Sequence, residues 1–302
     1  MKKIINIADS YKICFLLLLF LMPAYVSGIP AVRASFFVRQ ITVMILLTLG
    51  VSLELIGGTF DLAFAAQISF SALMAMVCMM NGCPLWLVCI MICVINAALG
   101  CLKGVLLVGL LMPSIIFTLA LQAILTNFSA GIAPNSGIVL KELQSIYRER
   151  MGMGGEILLV LLGIVAAFLF LEFTYYGKYS RMLGANLSLA KESGLKCMQI
   201  SIIVHLFASL FFSSAAILLM LQTGSSNASL GENYLYRVLT AAFLGNVGPF
   251  GGRGKVSGMI AGAVIMVLLI ATLTGKGYLN RWETILEGLI ILVALWAQRK
   301  KK

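Results

Sequence analysis

Two carboxylates flank a glycine-containing break in an apolar part of the chain. Glu54 and Asp61 lie on either side of the stretch IGGTF at residues 56–60, and a third acid, Glu172, lies in a later apolar segment. Acids this close to a broken membrane helix either face water or line a cavity, because burying a charge in lipid is costly. The alternative is that Glu54 and Asp61 lie at the level of the lipid headgroups.

The stretch GPFGGRGKVSG at residues 248–258 looks like a glycine-rich phosphate loop. A Walker A loop requires glycine at position 249 and a hydroxyl side chain at position 256. The chain has Pro249 and Val256 there, and an apolar segment precedes the loop. The sequence therefore predicts no nucleotide site here, and indicates a break between a half-helix and a tightly packed full helix.

Glycines around both breaks predict how the helices meet. The residues expected to break or pack helices are Gly57, Gly58, Gly251, Gly252, Gly254, Gly258 and Gly262. The last three recur at every fourth residue, a spacing that lets two helix backbones approach closely in lipid. Because glycine pairs interrupt both halves of the chain, we expect two structurally repeated halves with a translocation pathway between them.

Other reactive residue types form no recognisable site. The seven cysteines contain no C-x-x-C pair and the chain has one histidine, so no metal centre is expected. That histidine, His205, lies inside an apolar segment, where it is either a proton relay or a helix-packing residue. Neither a G-x-S-x-G nor an H-E-x-x-H motif occurs, so no catalytic residue, enzymatic activity or cofactor is expected.

The elements that position these residues are membrane helices. Of the 302 residues, 61% are hydrophobic and 11% are charged, far from a soluble composition. Apolar segments of about spanning length cover residues 13–28, 41–56, 62–80, 85–102, 114–131, 157–176, 198–221, 256–273 and 282–297. A shorter one, 234–244, is half of a broken helix. The sequence thus predicts an all-α integral membrane protein, one polytopic domain over residues 1–302, with about ten crossings.

Basic residues indicate the orientation, because Lys and Arg accumulate in short cytoplasmic loops. The richer side carries Lys103, the basic residues of 178–196 and 253–255, and both termini, which are therefore placed in the cytoplasm. The net charge of +11 is explained by topology and by attraction to anionic lipid, so no nucleic acid is expected to bind. The segment 13–28 is expected to be a retained helix rather than a cleaved signal peptide.

Several motifs, from about residue 53 to the C-terminus, resemble the permease subunits of ribose-type ATP-binding-cassette importers, which include monosaccharide and autoinducer-2 permeases. The family's G-G-I-D-L-S is similar to GGTFDLA at residues 57–63. Its G-x-x-N-G and I-P-S-F-I-x-T-L are similar to GCLKG at 100–104 and MPSIIFTL at 112–119. Its G-R-x-x-x-A-x-G-x-N resembles GKYSRMLGAN at 177–186, and its A-A-x-x-L-G-G resembles AAFLGN at 241–246.

Three departures from the family pattern suggest a divergent member. Lys103 stands where the family has Asn, Asn246 where it has Gly, and Ala63 where it has Ser. These changes bear on the substrate more than on the class of protein.

The resemblance implies a division of labour between subunits. This chain would form the uptake pathway for a sugar or related small polar solute across the bacterial cell membrane. A separate cytoplasmic ATPase subunit would supply the energy, a second permease subunit would complete the membrane part, and an extracytoplasmic solute-binding protein would deliver the solute. The main alternative is an ion-gradient-driven secondary transporter with Glu54, Asp61 and Glu172 as coupling carboxylates.

The contact with the ATPase would be a cytoplasmic coupling loop, residues 177–197. Asn186 can cap a helix of about two turns, and Gly194 can end that helix in the left-handed conformation. The residues assigned to coupling are Arg181, Gly184, Asn186, Ala190, Ser193 and Gly194. The alternative is a solvated loop whose charges serve topology alone.

The longest loop, residues 132–156, is expected outside. Leu140, Leu143, Ile146 and Tyr147 have helical spacing there, which predicts an amphipathic helix that rests on lipid or receives a binding protein. Polar side chains in or near the membrane segments could bind a sugar in transit or join helices. Those assigned to the pathway are Asp61, Gln67, Thr118 and Asn246.

Overall fold

The computed structural model describes residues 31–132, 137–275 and 285–293, and these are almost entirely helical. Long apolar segments form helices in a bilayer because the backbone must satisfy its own hydrogen bonds there. Six helices are long and apolar enough to cross a membrane: Phe37–Ile56, Leu85–Gly109, Ser114–Ile132, Gly152–Phe173, Cys197–Thr223 and Val256–Leu273. The predicted segment 13–28 lies outside the described residues.

The helices are numbered in chain order. They are α1 (Ala31–Ile56), α2 (Phe64–Met80), α3 (Leu85–Gly109), α4 (Ser114–Ile132), α5 (Glu142–Ile146), α6 (Gly152–Phe173), α7 (Tyr175–Ala185), α8 (Leu187–Glu192), α9 (Cys197–Thr223), α10 (Leu235–Leu244), α11 (Val256–Gly275) and α12 (285–293). A π-helical turn, Tyr147–Met151, joins α5 to α6, and a 3-10 turn, Glu232–Tyr234, precedes α10.

Helices α1 and α9 form the centre of the bundle. In α1, 83% of the membrane segment is buried, against 22% in α3 and in α4. The large side chains of Leu46, Leu49 and Leu53 are fully buried on α1, and Phe212 of α9 stacks on Phe64 of α2. Helices α3, α4 and α6 lie outside and expose many large apolar side chains, which suits helices that face lipid or another membrane subunit.

The two ends of the bundle are built differently. At one end the turn after α1, the loop between α3 and α4, the segment α7–α8 and the loop 245–255 come together. We call this the Gly184 end. At the opposite end lie α5 and two short antiparallel strands, β1 (Ile138–Val139) and β2 (Ser225–Ser226), which pair Ile138 with Ser226. We call this the strand end.

Helix α10 spans ten residues and is too short to cross a bilayer alone, as its segment predicted. The chain reaches it from the strand end through residues 227–234, which enter the bundle. Within this stretch the backbone N–H of Gly231 donates a hydrogen bond of 2.8 Å to the Ser69 hydroxyl of α2. A half-helix and an irregular segment therefore share one passage through the membrane part of the protein.

Helix α11 packs closely on α10 through two glycines. A Cβ on Gly258 would lie 2.2 Å from the carbonyl oxygen of Gly245, and a Cβ on Gly262 would lie 2.0 Å from that of Ala241. This is the geometry that the four-residue spacing predicts. Gly254 departs from it, because it precedes α11, and a Cβ there would meet the Ile56 side chain instead.

The prediction that the long loop at the strand end rests on lipid is wrong for its helical part. Leu143 is fully buried and Tyr147 is 2% exposed, and both belong to the central core. The side-chain amide of Gln144 donates to the carbonyl of Thr223 at the end of α9 (2.9 Å). The apolar positions of this loop therefore face protein, because α9 offers a surface that covers them.

Candidate functional site

A buried charged cluster lies inside the membrane part of the bundle. The ammonium nitrogen Nζ of Lys103 is 2.8 Å from Oε1 of Glu54 and 2.8 Å from Oδ2 of Asp61, and all three side chains have 0% exposure. Lys103 belongs to the buried face of α3, with Asn96, Gly100, Gly104 and Leu107. These positions recur at helical spacing, so the face that packs on α9 also delivers the lysine.

The chain between α1 and α2 brings the two acids to this lysine. Glu54 lies in the last turn of α1, and Asp61 follows the glycine turn by three residues. Oδ1 of Asp61 accepts a hydrogen bond of 2.7 Å from the backbone N–H of Ala63, just before α2 begins. Asp61 therefore binds Lys103 with one oxygen and holds the start of α2 with the other.

Helix α4 fixes the same stretch of chain through its first turns. The backbone N–H of Phe60 donates to the hydroxyl of Ser114 (3.3 Å), and the hydroxyl of Thr118 donates to the carbonyl of Phe60 (3.2 Å). Phe60 lies outside the helices, so these contacts satisfy backbone groups of Phe60 that would otherwise be unpaired in a membrane.

Helix α9 closes the cluster from the other side. The face of the Phe212 ring lies 5.1 Å from Nζ of Lys103, within the range of a cation–π contact. His205 lies seven residues before Phe212 on α9. It is 1% exposed, and its Nδ1 donates to the carbonyl of Ser201 (2.8 Å). Its Nε2 has no hydrogen-bond partner among the described residues, and neither has Oε2 of Glu54.

One expectation changes with this cluster. Lys103 was assigned to a cytoplasmic loop, but it is a fully buried residue of α3. Glu54 and Asp61, for which the sequence left a headgroup-level position open, are both fully buried in protein. The sequence signal for the cluster was the lysine that departs from the family pattern, yet nothing in the sequence linked it to Glu54, which is 49 residues away.

The second feature is a contact of three backbones at Gly184 of α7. A Cβ on this residue would lie 2.0 Å from the Ile56 carbonyl oxygen, 2.7 Å from the Gly58 nitrogen and 2.9 Å from the Gly252 nitrogen. Only glycine fits such a contact. The N–H of Gly252 also donates to the Ile56 carbonyl (2.9 Å), so both glycine breaks meet each other and α7 at one point.

The short helix α8 that follows is formed by its own capping residues. The side-chain oxygen of Asn186 accepts a hydrogen bond of 3.1 Å from the N–H of Leu189, and Gly194 has a positive φ of 74°. This cap and stop confirm the local prediction. Ala190 is 2% exposed and faces the bundle, whereas Leu189 is 58% exposed, so α8 buries one face and leaves the other exposed.

The remaining residues that the sequence assigned to coupling lie around this helix. Arg181 of α7 forms an ion pair of 2.5 Å with Glu172 of α6, in which the side chains are 29% and 40% exposed. The hydroxyl of Ser193 donates to the carbonyl of Leu189 (2.7 Å) at the end of α8. Glu172 therefore binds an arginine at the Gly184 end and does not join Glu54 and Asp61 in one acidic site.

A cleft of about 300 Å³ separates this segment from the loop between α3 and α4. Its lining comes from residues 57–59, 107–114 and 183–187. The cleft thus lies between the glycine turn that leads to Asp61 and the segment that carries Gly184.

The assigned pathway residues do not form one lining. Asp61 and Thr118 meet around Phe60 and both bind protein. Gln67 is fully buried and donates to the carbonyl of Asn96 (3.3 Å). Asn246 lies apart, in an exposed turn after α10 with a φ of 61°, a conformation that Asn tolerates better than most residues.

A polar cluster at the strand end was not anticipated from the sequence. Glu156 of α6 is fully buried and accepts hydrogen bonds from the hydroxyl of Tyr147 (2.5 Å) and the amide of Gln222 (2.6 Å). Burial, and then the bond to Glu156, raise the pKa of Tyr147 to about 12. Arg39 of α1 lies over the Tyr147 ring, 4.7 Å from its centre. The cluster ties the loop to α1, α6 and α9.

No group of three or more His, Cys, Asp or Glu side chains suited to hold a metal occurs within residues 31–132, 137–275 and 285–293. The thiol of Cys78 lies 3.5 Å from the sulfur of Met91 in a contact between α2 and α3. The chemistry of the described chain is therefore that of buried charges, hydrogen bonds and close backbone contacts.

Comparison with known proteins agrees with this architecture. The family model described as branched-chain amino acid transport system / permease component matches residues 33–295. The galactose/methyl galactoside import permease protein MglC of Haemophilus influenzae is 26% identical over 288 residues, 87% of this chain and 85% of that protein. The ribose import permease protein RbsC of Bacillus subtilis is 24% identical over 270 residues, 87% of this chain and 83% of that protein.

The fructose import permease protein FruG of Bifidobacterium longum is 23% identical over 269 residues, 85% of this chain and 79% of that protein. No solved structure matches the chain significantly. Because the family model covers nearly all of the described chain, the protein belongs to the branched-chain amino acid transport system / permease component family and is a multi-pass permease of the cytoplasmic membrane.

Proposed function

We propose that the chain is the membrane subunit of an ATP-binding-cassette importer and forms the uptake pathway for a sugar or related small polar solute. The observation that carries the proposal is the backbone contact at Gly184. It joins α7, which leads directly into the short helix α8, to both glycine breaks, so a force applied to α8 would reach both breaks through α7. The printed functions of the three relatives, import of galactosides, ribose and fructose, suggest the solute class.

The ATPase subunit would bind at the Gly184 end, on the coupling loop 177–197. Helix α8 offers Leu189, Lys191 and Glu192 as exposed side chains next to its cap. Closure of two ATPase domains would move α8 and α7 together and switch the pathway between outward and inward access. The basic residues of this end, Lys178, Lys196, Arg253 and Lys255 among them, support a cytoplasmic position for it, and the proposal keeps both termini on that side.

The other partners follow from the remaining surfaces. The outward apolar faces of α3, α4 and α6 suit lipid and a second permease subunit, in a homodimer or heterodimer. A solute-binding protein would dock at the strand end, which this orientation places outside. We also propose about ten crossings in two related halves, with the glycine turn after α1 and the loop 245–255 as corresponding breaks.

Ion-gradient-driven secondary transport is the second candidate. The observation that favours it is the burial of Glu54 and Asp61 in the membrane, where carboxylates are characteristic of coupling sites. Against it, Glu172 lies at the bundle end on Arg181, so the three acids proposed to act together are divided between two places.

Reconstitution separates the two functions. The purified chain alone in liposomes should take up no galactose, ribose or fructose under a proton or sodium gradient. The same chain with its ATPase and binding protein should take up one of these sugars only when ATP is supplied. Gradient-driven uptake by the chain alone would overturn the importer proposal in favour of secondary transport.

A further inference from the structure

The buried charged cluster contains one more acid than base. Lys103 brings one positive charge, and Glu54 and Asp61 bring two carboxyl groups, all at 0% exposure. Fully ionised, the three groups would leave an uncompensated negative charge in the core. Isolated charges are costly to bury, and buried groups commonly neutralise by proton uptake instead.

Among the described residues, no second cation forms an ion pair with Glu54 or Asp61. Another titratable side chain near the cluster is that of His205 on α9, whose backbone carbonyl packs against Gly100, three residues before Lys103 on α3. A charged imidazole donates from both nitrogens. Nδ1 of His205 has the carbonyl of Ser201 as its acceptor, but Nε2 has none within the described chain. The geometry therefore fits a neutral ring, and the cluster still lacks one positive charge.

The hydrogen bonds show where a proton would fit. Both oxygens of Asp61 accept from donors, one from Lys103 and one from the N–H of Ala63, which suits an ionised carboxylate. Glu54 receives a donor on one oxygen only, and its Oε2 has none among the described residues. The two carboxyl groups contact the same ammonium nitrogen, each at 2.8 Å, so they lie close together, and two carboxyl groups can bond to each other only if one carries a proton.

We propose that the cluster binds one proton, which Glu54 carries and donates toward Asp61. With this proton, the charges of Lys103, Glu54 and Asp61 balance where the chain around the glycine turn meets α3. This site goes beyond the proposed transport function, because its ligand is a proton bound inside the protein and not the transported solute. Loss of the proton at alkaline pH would leave a negative charge in the cluster. The cluster would then hold three elements together less strongly than before: helix α1, the turn that leads to α2, and helix α3.

Infrared difference spectroscopy on the purified full-length chain tests the site directly. The wild type should show the carbonyl stretch of a protonated carboxylic acid at neutral pH, shifted in D₂O, and Glu54→Gln should lose it. Glu142→Gln, at an exposed position on α5, is the matched control and should keep the band. A band that survives Glu54→Gln would overturn the proposal. So would a wild type that lacks the band and is stabilised instead by sodium ions, which would identify a bound alkali cation.

The pH profile of uptake by the complete complex gives the second readout. Wild-type uptake should decline as the pH rises above neutral. Glu54→Gln keeps an uncharged group of the same shape, so its uptake should decline less over the same pH range with the same partner subunits. At pH 7, Asp61→Asn should lose about tenfold more uptake than Glu54→Gln, because it alone removes the ionised partner of Lys103. Equal losses in the two variants, or identical pH profiles for wild type and Glu54→Gln, would contradict the proposal. The infrared measurement needs no transport, so it fails or succeeds independently of the importer function.

Discussion

Nζ of Lys103 lies 2.8 Å from Oδ2 of Asp61 in the interior of the bundle, and neither side chain is exposed. This single bond connects a transmembrane helix to the irregular stretch that begins at the glycine turn. Gly58 in that turn, three residues before Asp61, contacts Gly184. The residues from Gly58 to Asp61 therefore link the contact at Gly184 to the buried charged cluster.

Replacing Lys103 by Met should strongly destabilise the protein. Two acids would remain in the core without their cation, and removing one partner of a buried ion pair costs about 3–5 kcal/mol. The thermal midpoint of the detergent-purified chain, followed by size-exclusion chromatography, measures this. Lys141→Met, at an exposed position of the strand end, is the matched control.

Adding Glu54→Gln and Asp61→Asn to Lys103→Met should recover much of that loss, because the triple variant leaves no buried charge uncompensated. If the triple variant is less stable than Lys103→Met alone, the loss arises from packing and not from unbalanced charge.

Gly184→Ala should abolish ATP-driven uptake while the chain still inserts in the membrane. The new methyl group would lie 2.0 Å from the Ile56 carbonyl, so α7 must move away from both glycine turns. Overpacking of this kind costs about 1–3 kcal/mol. Uptake and ATP hydrolysis by the reconstituted complex are compared with Gly154→Ala, where a Cβ meets no described atom within 4 Å. Wild-type uptake in Gly184→Ala would remove this contact from the mechanism.

Asn186→Ala should weaken α8 by about 1 kcal/mol, the usual value of a lost helix cap, and lower the uptake obtained per ATP hydrolysed. Asn186→Ser should restore most of it, because a serine hydroxyl can accept the same hydrogen bond from the N–H of Leu189. The measurement is the ratio of uptake to ATP hydrolysis in proteoliposomes. An unchanged ratio in Asn186→Ala would show that the capped helix does not transmit the motion.

Tyr147→Phe should change how stability depends on alkaline pH. The folded chain holds the pKa of Tyr147 at about 12, above its ordinary value near 10, so the neutral phenol stabilises the fold below pH 10 and this contribution is lost between pH 10 and 12. The thermal midpoint should therefore fall less from pH 8 to pH 11 in Tyr147→Phe than in the wild type. Tyr175→Phe, with an exposed ring, should behave like the wild type.

The features that sequence reasoning predicted correctly depend on neighbours in the chain. The cap of α8 needs only Asn186 and the residues up to Gly194, and the half-helix α10 is visible as a short apolar segment. Likewise the spacing of Gly258 and Gly262 defines one helix face, whichever helix packs on it.

The features that it missed depend on partners far along the chain. Lys103 was placed in a loop because a charge in sequence is read as topology, whereas its two acids lie 42 and 49 residues away. The prediction that Leu143 and Tyr147 contact lipid was wrong for the same reason. An amphipathic pattern does not say whether lipid or another helix covers its apolar face. Side chains that meet only through the fold have no signature in local spacing.

The contact at Gly184 has a consequence for timing. A side chain at an interface can change rotamer and absorb a small displacement. Gly184 has none, and it touches backbone atoms of Ile56, Gly58 and Gly252. A shift of α7 therefore reaches both glycine turns without slack and in the same instant. The two glycine turns would then move together and not one after the other.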